Sequence, residues 1–365
     1  MVIGVDGGAL SVDDERLKVG VYKVTLRVLE QLSYLDIHNN YRIYSFDRLG
    51  EGIKKRFGER FEFRVISPKK GWQKLWLPFE LKRHPVDVFL GMSQAIPANT
   101  SHNIGFVYDL AFLTYPEAYP GSQKRLVCQT DDLVKRSQSI IVNSESVRGE
   151  LIKRYDYPAD AIRLCHLGVD ETFSPSGAAY KGNKPYFLYV GALKPLKNVP
   201  TLIRAFAQFL RKTDKHYDLY LVGGNYWMDP EIEIAIKETG IKSNIKELGH
   251  VPDELLPQYY RGSTAFVAPS LFEGFCLPAI EAMASGCPVV VSDRGSLPEI
   301  VGDAGIFVDP KNMQSIAQAM ENVSGNNEVR QKMKNAGLKQ AATYRWDTCA
   351  KEILAVINTG LQTHP

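Results

Sequence analysis

The chain has 365 residues, about twice a typical domain, of which 44% are apolar and 23% charged, with a formal net charge of +3. That balance excludes a disordered chain, a collagen-like rod and a membrane bundle, and it is too near neutral for a protein coated by nucleic acid. Five cysteines (Cys128, Cys165, Cys276, Cys287 and Cys349) are odd in number and form no C-x-x-C pair, so neither a disulfide framework nor a zinc site is expected.

The opening MVIGVDGG has an acid at its sixth position and no signal pattern, and no apolar run reaches the ~18 residues of a membrane span. The expected setting is cytoplasmic. Short β-branched runs then predict strands at 1–5, 41–46, 63–67, 86–91, 104–108, 139–143 and 162–167. A second series is predicted at 186–190, 218–223, 245–248, 265–268, 288–292 and 305–308. Helical periodicity fills most gaps, as in Leu202, Ile203, Phe206, Phe209 and Leu210. Strand, crossover helix, strand is the signature of a doubly wound parallel sheet, and it occurs twice. The predicted fold class is therefore α/β, with two Rossmann-like domains. A domain at 1–172 is followed by a linker at 173–184 rich in small residues, a second domain at 185–343, and a closing helical segment at 344–365. Ligands of such sheets sit outside the carboxyl ends of the strands.

Three segments invite a functional reading. Gly7 and Gly8 follow the first strand, where a missing Cβ lets backbone approach a ligand; an ordinary strand-to-helix turn fits equally well. Residues 54–83 hold ten basic and three acidic side chains, and Trp72, Leu75, Trp76 and Phe79 recur at i, i+3, i+4, i+7. Two readings stand for 69–83: a core-facing helix with a solvated basic face, or a helix lying on an anionic membrane, which would suit a lipid-linked acceptor.

The third segment, 265–300, is the most informative: AFVAPSLFEGFCLPAIEAMASGCPVVVSDRGSLPEI. A strand ends at Pro269–Ser270, and a loop carries Glu273 and Gly274. Pro278 suits the first turn of a helix that Gly286 stops, and Pro288 opens the next strand. The N–H groups near Phe275, Cys276 and Leu277, with the helix dipole, form an expected site for an anion or for sugar hydroxyls. Glu281 lies one turn into the helix, so Glu273 and Glu281 reach one ligand from two levels. Ionised carboxylates only accept hydrogen bonds and so suit ligands rich in hydroxyls.

EGFCLPAIE, two glutamates separated by seven residues, resembles the signature of the family 4 retaining glycosyltransferases (group 1), which have the two-domain GT-B fold. The likeness extends through LGHVPDELLPQYYRGSTAFVAPSLFEGF before it and EAMASGCPVVVSDRGSLPEIVGDAGIFVDP after it. It also takes in YVGALKPLKNVPTLIRAF, VYDLAFLTYPEAYP and IIVNSESVRGELIKRY. The resemblance implies that Glu273 binds donor-sugar hydroxyls, Glu281 the ribose, and Lys197 the diphosphate. It places Gly191 in a glycine turn of the donor site, Gly274 to Leu277 on sugar and phosphates, His250 and Val251 beside the base, and Gly7 and Gly8 over the diphosphate. It implies that the closing helix, YRWDTCAKEILAVINTG, returns to the first domain.

Two departures stand out. Tyr108 precedes Asp109 where the family often has a histidine, and a phenol is a poor base near neutral pH. Leu196 precedes Lys197 where the family often has an arginine, so Lys194 or an arginine elsewhere would have to supply that charge. The chain has no Asp-x-Asp triplet and no cluster at metal-ligand spacing, so Lys197 and the helix dipole are expected to stabilise the leaving phosphate without a metal or other cofactor. The resemblance thus implies a retaining, metal-independent transferase. It would move a hexose-type sugar from a UDP- or GDP-sugar to a saccharide or lipid-linked acceptor, with no nucleic-acid partner. A nucleotide-sugar 2-epimerase and a non-catalytic nucleotide-sugar-binding subunit are the rival readings, the latter motivated by Tyr108 and Leu196.

Overall fold

In the computed structural model, which describes residues 1–12, 14, 18, 20–214, 216–224 and 229–359, the β-branched runs pair into two all-parallel sheets. The first contains β1 (Val2–Asp6), β2 (Asn40–Ser45), β3 (Phe61–Val65), β4 (Val88–Gly91), β5 (Asn103–Val107), β6 (Ser139–Val142) and β7 (Ile162–Leu164). Its order is β3-β2-β1-β4-β5-β6-β7. The second contains β8 (Tyr186–Val190), β9 (Asp218–Val222), β10 (Ile245–Gly249), β11 (Ala265–Ala268), β12 (Val289–Ser292) and β13 (Gly305–Val308), ordered β10-β9-β8-β11-β12-β13. Strand order reverses between β1 and β4 in one sheet and between β8 and β11 in the other. In an open α/β sheet the ligand crevice opens at that reversal, outside the carboxyl ends.

The sheets belong to two units. One comprises Met1–Gly168 with Arg345–Pro365, the other Val169–Tyr344. The closing helix Trp346–Thr359 packs on the helix Val21–Leu35 and so completes the first unit. A Cβ on Gly168 would meet Trp346 N at 2.2 Å, so only glycine lets the chain pass the start of that helix. In the second unit the helix Val199–Lys212 turns Val199, Leu202, Ile203, Phe206 and Phe209 toward the sheet, with Phe209 edge-on to Phe187 at 5.3 Å. Central strands covered on both faces carry continuous apolar runs, which explains sequences such as VVVS in β12.

The basic stretch departs from the core-facing reading. Trp72–Trp76 forms one π-helical turn in which the Leu77 N–H bonds Trp72 O, and Leu77–Arg83 continues as α-helix. The wider turn rotates the buried face onto Trp72, Leu77, Pro78 and Leu81. Leu75, Trp76 and Phe79 are left 63%, 42% and 56% exposed. A regular 3.6-residue period would have placed them on the same stripe as Trp72.

Candidate active site

In the second unit, two loops at the strand reversal bring opposite charges together. β8 runs into the glycine turn at Gly191 and then a short 3-10 turn, Pro195–Lys197. β11 runs into Pro269–Ser270 and the loop carrying Glu273. Lys197 Nζ donates to both Glu273 carboxylate oxygens at 2.7 Å. Ser270 Oγ donates to Glu273 Oε1 at 2.7 Å, and the Glu273 residue is only 7% exposed. The loops are pinned to each other. Leu271 N donates to Leu196 O, and Asn198 Nδ2 donates to Pro269 O and Pro310 O. Leu196 is itself buried, so the residue before the lysine serves packing rather than charge.

Glycines make room for this geometry. A Cβ on Gly223 would lie 2.0 Å from Gly191 O, so the ends of β8 and β9 approach as only glycine permits. A Cβ on Gly295 would lie 2.4 Å from Glu273 O, which accepts from Ser296 N. The loop after β12 thereby backs directly onto the glutamate. It also carries Arg294, paired with Asp293 and Asp309.

Beyond Glu273 and Gly274 the helix Leu277–Ala284 begins, with Pro278 in its first turn. Its N-cap, Cys276, adopts the left-handed region at φ 74, uncommon for a residue with a Cβ. The positive end of the helix dipole therefore lies at Cys276–Leu277, on the chain just after Glu273. Burial, reinforced by the nearby Glu273 charge, pushes the Cys276 thiol well above its ordinary range. Glu281 is 5% exposed and accepts from Tyr260 Oη at 3.3 Å. It is thus a buried carboxylate rather than a solvated helix residue. Burial and the Glu281 charge hold the Tyr260 phenol neutral. Phe275 is buried edge-on to Tyr344. His250 and Val251 follow β10 at its carboxyl end, and Val251 is buried.

The remaining expected residues lie in the first unit. Gly7 N donates to Tyr44 O, and a Cβ on Gly7 would meet Ile43 Cγ2 at 2.6 Å. Gly8 N donates to Asp6 Oδ1 at 2.9 Å. Tyr108 follows β5; its hydroxyl donates to Met92 O at 2.9 Å, and burial raises its pKa well above the ordinary phenol value. It therefore offers lone pairs to a ligand but no base. Asp109 Oδ1 accepts from Ala111 N at 3.0 Å.

Sequence reasoning passed over Ser270, Asn198 and Tyr260, which hold Glu273, the Lys197 loop and Glu281. Each is an ordinary polar residue in sequence, and its partner lies far along the chain or around a turn. Among the described residues, no group of three or more His, Cys, Asp or Glu side chains is arranged to hold a metal ion.

The family model described as glycosyl transferases group 1 matches residues 170–340, which cover nearly all of the second unit. O-antigen chain mannosyltransferase B of Escherichia coli is 29% identical over 80% of this chain and 78% of its own length. Sucrose-phosphate synthase from Thermosynechococcus elongatus superposes over 100% of both chains with a TM-score of 0.81 at 19% identity. Anabaena HepE, solved in complex with UDP and glucose, covers 98% of this chain and 99% of its own, with a TM-score of 0.75 at 16% identity. With two Rossmann-like units and a closing helix returned to the first, the chain has the architecture of the GT-B glycosyltransferases, and its residues 170–340 match the glycosyl transferases group 1 family.

Proposed function

We propose that the chain is a retaining hexosyltransferase that uses a UDP- or GDP-sugar and a saccharide or lipid-linked acceptor in polysaccharide or glycoconjugate synthesis. The observation that carries this reading is the ion pair at the reversal of the second sheet, where Lys197 grips both oxygens of a buried Glu273. An incoming diphosphate, with more charge than a carboxylate, competes for Lys197. Glu273 is then released to accept hydroxyls of the donor sugar. Glu281 accepts the ribose hydroxyls, the backbone of Gly274 to Leu277 and the glycine turns at Gly191 and Gly7–Gly8 approach sugar and phosphates, and His250–Val251 flank the base.

In the transfer step the bond from the sugar's C1 to the phosphate oxygen breaks. The acceptor oxygen bonds C1 on the same face, and the acceptor's proton passes to the departing phosphate. Negative charge grows on that phosphate, where Lys197 and the helix N-terminus are preorganised to receive it. Tyr108 and Asp109 contact sugar hydroxyls. The buried Tyr108 phenol takes no proton, in keeping with a leaving group that serves as its own base. The mannosyltransferase relative supports a saccharide acceptor, and the HepE complex supports a uridine donor, as one of two nucleotide choices.

Thermal melts with UDP-, GDP- and free-nucleotide ligands test the donor. A ligand at ~100 times its dissociation constant adds roughly 2.7 kcal/mol. Glu281→Ala is expected to abolish that shift; an unchanged nucleotide affinity refutes the ribose assignment. Isomerised sugar without acceptor would favour a 2-epimerase, and binding without turnover a non-catalytic subunit.

The basic stretch completes the proposal as a peripheral contact with anionic lipid. Leu75, Trp76 and Phe79 are exposed beside the exposed Lys69, Lys70, Lys74, Lys82 and Arg83, the composition of an interfacial helix. Sedimentation with phosphatidylglycerol vesicles at low salt is expected to deplete the protein, and Trp76→Ser with Phe79→Ser to restore it to solution. Equal recovery with and without vesicles removes the membrane contact.

A further inference from the structure

The first sheet has its own reversal, between β1 and β4, and a carboxylate stands there that the transfer step above does not use. Asp6 is the last residue of β1 and is 1% exposed. Its Oδ1 accepts from Gly8 N at 2.9 Å, and its Oδ2 accepts from Gln73 Nε2 at 3.1 Å. Gln73 Oε1 in turn accepts from Gln129 Nε2 at 3.2 Å. A polar chain thus runs from a buried acid, through the π-helical turn, to a half-exposed amide on the helix Gln123–Arg136.

A second chain leaves the same reversal. Gln94, three residues beyond β4 and in the left-handed region at φ 53, donates from Nε2 to Asp109 O and Thr130 Oγ1. Its Oε1 accepts from Tyr108 N. Gln129 and Thr130 are consecutive, so both chains converge on one turn of that helix. A strained residue beside a strand reversal and convergent amides mark a built site rather than a packing accident.

The hydrogen bonds of Asp6 do not balance its burial. Its partners are neutral donors, and among the described residues no cation pairs with it. A buried unpaired carboxylate is a liability for folding. An amide or an apolar residue would close the same turn without it. Amide oxygens backed by a charged acid, by contrast, are strong acceptors for neutral hydroxyls.

We propose that Asp6 is a positioning residue for acceptor recognition: through Gln73 it orients Gln129, whose amide meets a hydroxyl of a saccharide acceptor at the reversal of the first sheet. This rests on the glycosyltransferase reading and extends it to the acceptor side. The same acid holds Gly8, where a Cβ would meet the Trp72 ring at 3.3 Å. The groups facing Asp6 from the other elements are uncharged: Gln73 from the π-helical turn and Ser93 from the loop after β4. The titratable group that feels its charge is Tyr108, already neutral. Burial raises the Asp6 carboxyl to about 6, against lesser lowering by Gly8, Ser93 and Gln73. The charged form therefore gives way on mild acidification.

The test is steady-state kinetics with the donor selected by the melt panel and p-nitrophenyl hexosides as acceptors. Gln73→Ala and Gln129→Ala are expected to raise the acceptor KM about fivefold, the size of one neutral hydrogen bond. Their donor KM should stay within twofold. The wild-type acceptor KM should fall as pH rises through the Asp6 titration, and Asp6→Asn should flatten that limb. Acceptor KM values within twofold of wild type in both glutamine variants, or a pH limb that survives in Asp6→Asn, overturn the assignment. Donor hydrolysis without transfer to any hexoside overturns it too. If the wild-type chain releases no nucleotide from any donor, the glycosyltransferase reading itself falls.

Discussion

Replacing Asp6 by Asn should make the protein more stable at neutral pH, and the size of the effect follows from its burial. The folded carboxyl titrates near 6 against an ordinary value of 3.8, because burial outweighs the bonds from Gly8, Ser93 and Gln73. A raised folded pKa means that folding favours the protonated acid. The associated stability is fully present below pH 3.8 and is lost as pH climbs through 6. At roughly 1.4 kcal/mol per unit, the shift corresponds to about 3 kcal/mol at pH 7.5. Asn has no proton to lose, so the melting difference between variant and wild type should widen with pH. For a unit of this size, about 2–4 °C per kcal/mol converts that to a differential change of roughly 6–12 °C between pH 4 and 7.5. Tryptophan fluorescence is a suitable readout, since Trp72, Trp76 and Trp346 all belong to the first unit. Other carboxylates titrate equally in both proteins and cancel in the difference. Melting differences that stay constant across this range would show that the Asp6 carboxyl does not titrate on folding as its burial requires. A difference that moved in favour of Asp as pH rose would mean that a cation serves the carboxylate after all.

The other predictions concern the second unit. Lys197→Met should lower stability by about 2–3 kcal/mol in urea denaturation, because it strands the buried Glu273 while Lys197 itself is 27% exposed and partly solvated. Adding Glu273→Met should restore most of that stability but none of the turnover; recovery of activity would place the leaving-group charge elsewhere. Tyr260→Phe should weaken nucleotide binding only a few-fold in calorimetry, since one 3.3 Å bond to Glu281 is lost while the ring keeps its edge contacts with Phe173 and Phe266. A hundredfold loss would mean that the phenol touches the ligand. Gly223→Ala should abolish soluble folding or lower the melting temperature by more than 10 °C, given a Cβ 2.0 Å from Gly191 O at φ 147; a wild-type melt would show that the two strand ends need not approach so closely.

The parallel sheets were legible because strands buried on both faces carry continuous β-branched runs, and every predicted strand forms within a few residues of its expected bounds. The segment 265–300 was legible for a related reason. Its punctuation is local: Pro278 in a first turn, Gly286 at φ 71 closing the helix, and Pro288 just ahead of β12. Of the two readings of the basic stretch, the core-facing stripe fails where the backbone leaves its standard period. One π-helical turn suffices to bury Leu77 and Leu81 with Trp72 and to expose three apolar side chains assigned to its stripe. The partners of the site were not legible, since Lys197 meets Glu273 only after β8 and β11 are laid side by side, and Tyr260 meets Glu281 only once the helices before and after β11 pack together. Asp6 was passed over for the same reason. An acid between a strand and two glycines is unremarkable until Gln73, 67 residues on, is folded over it.

The two strand reversals treat their carboxylates in opposite ways, and the proposed substrates account for the difference. Glu273 has a lysine 2.7 Å from both oxygens, whereas Asp6 has only neutral donors. A nucleotide diphosphate arrives with its own negative charge and needs a cation to exchange partners, so the acid that will receive sugar hydroxyls can be stored in an ion pair until then. A saccharide acceptor brings no charge, and a cation beside Asp6 would draw off the negative charge that, through Gln73, orients and polarises the Gln129 amide. On this reading the first unit tolerates an unneutralised acid because its ligand is neutral, and the second neutralises its acid because its ligand is not. Placing a lysine at Gln73 should therefore stabilise the first unit at neutral pH while raising the acceptor KM; a gain in stability with no change in acceptor KM would break the link between charge at Asp6 and acceptor recognition.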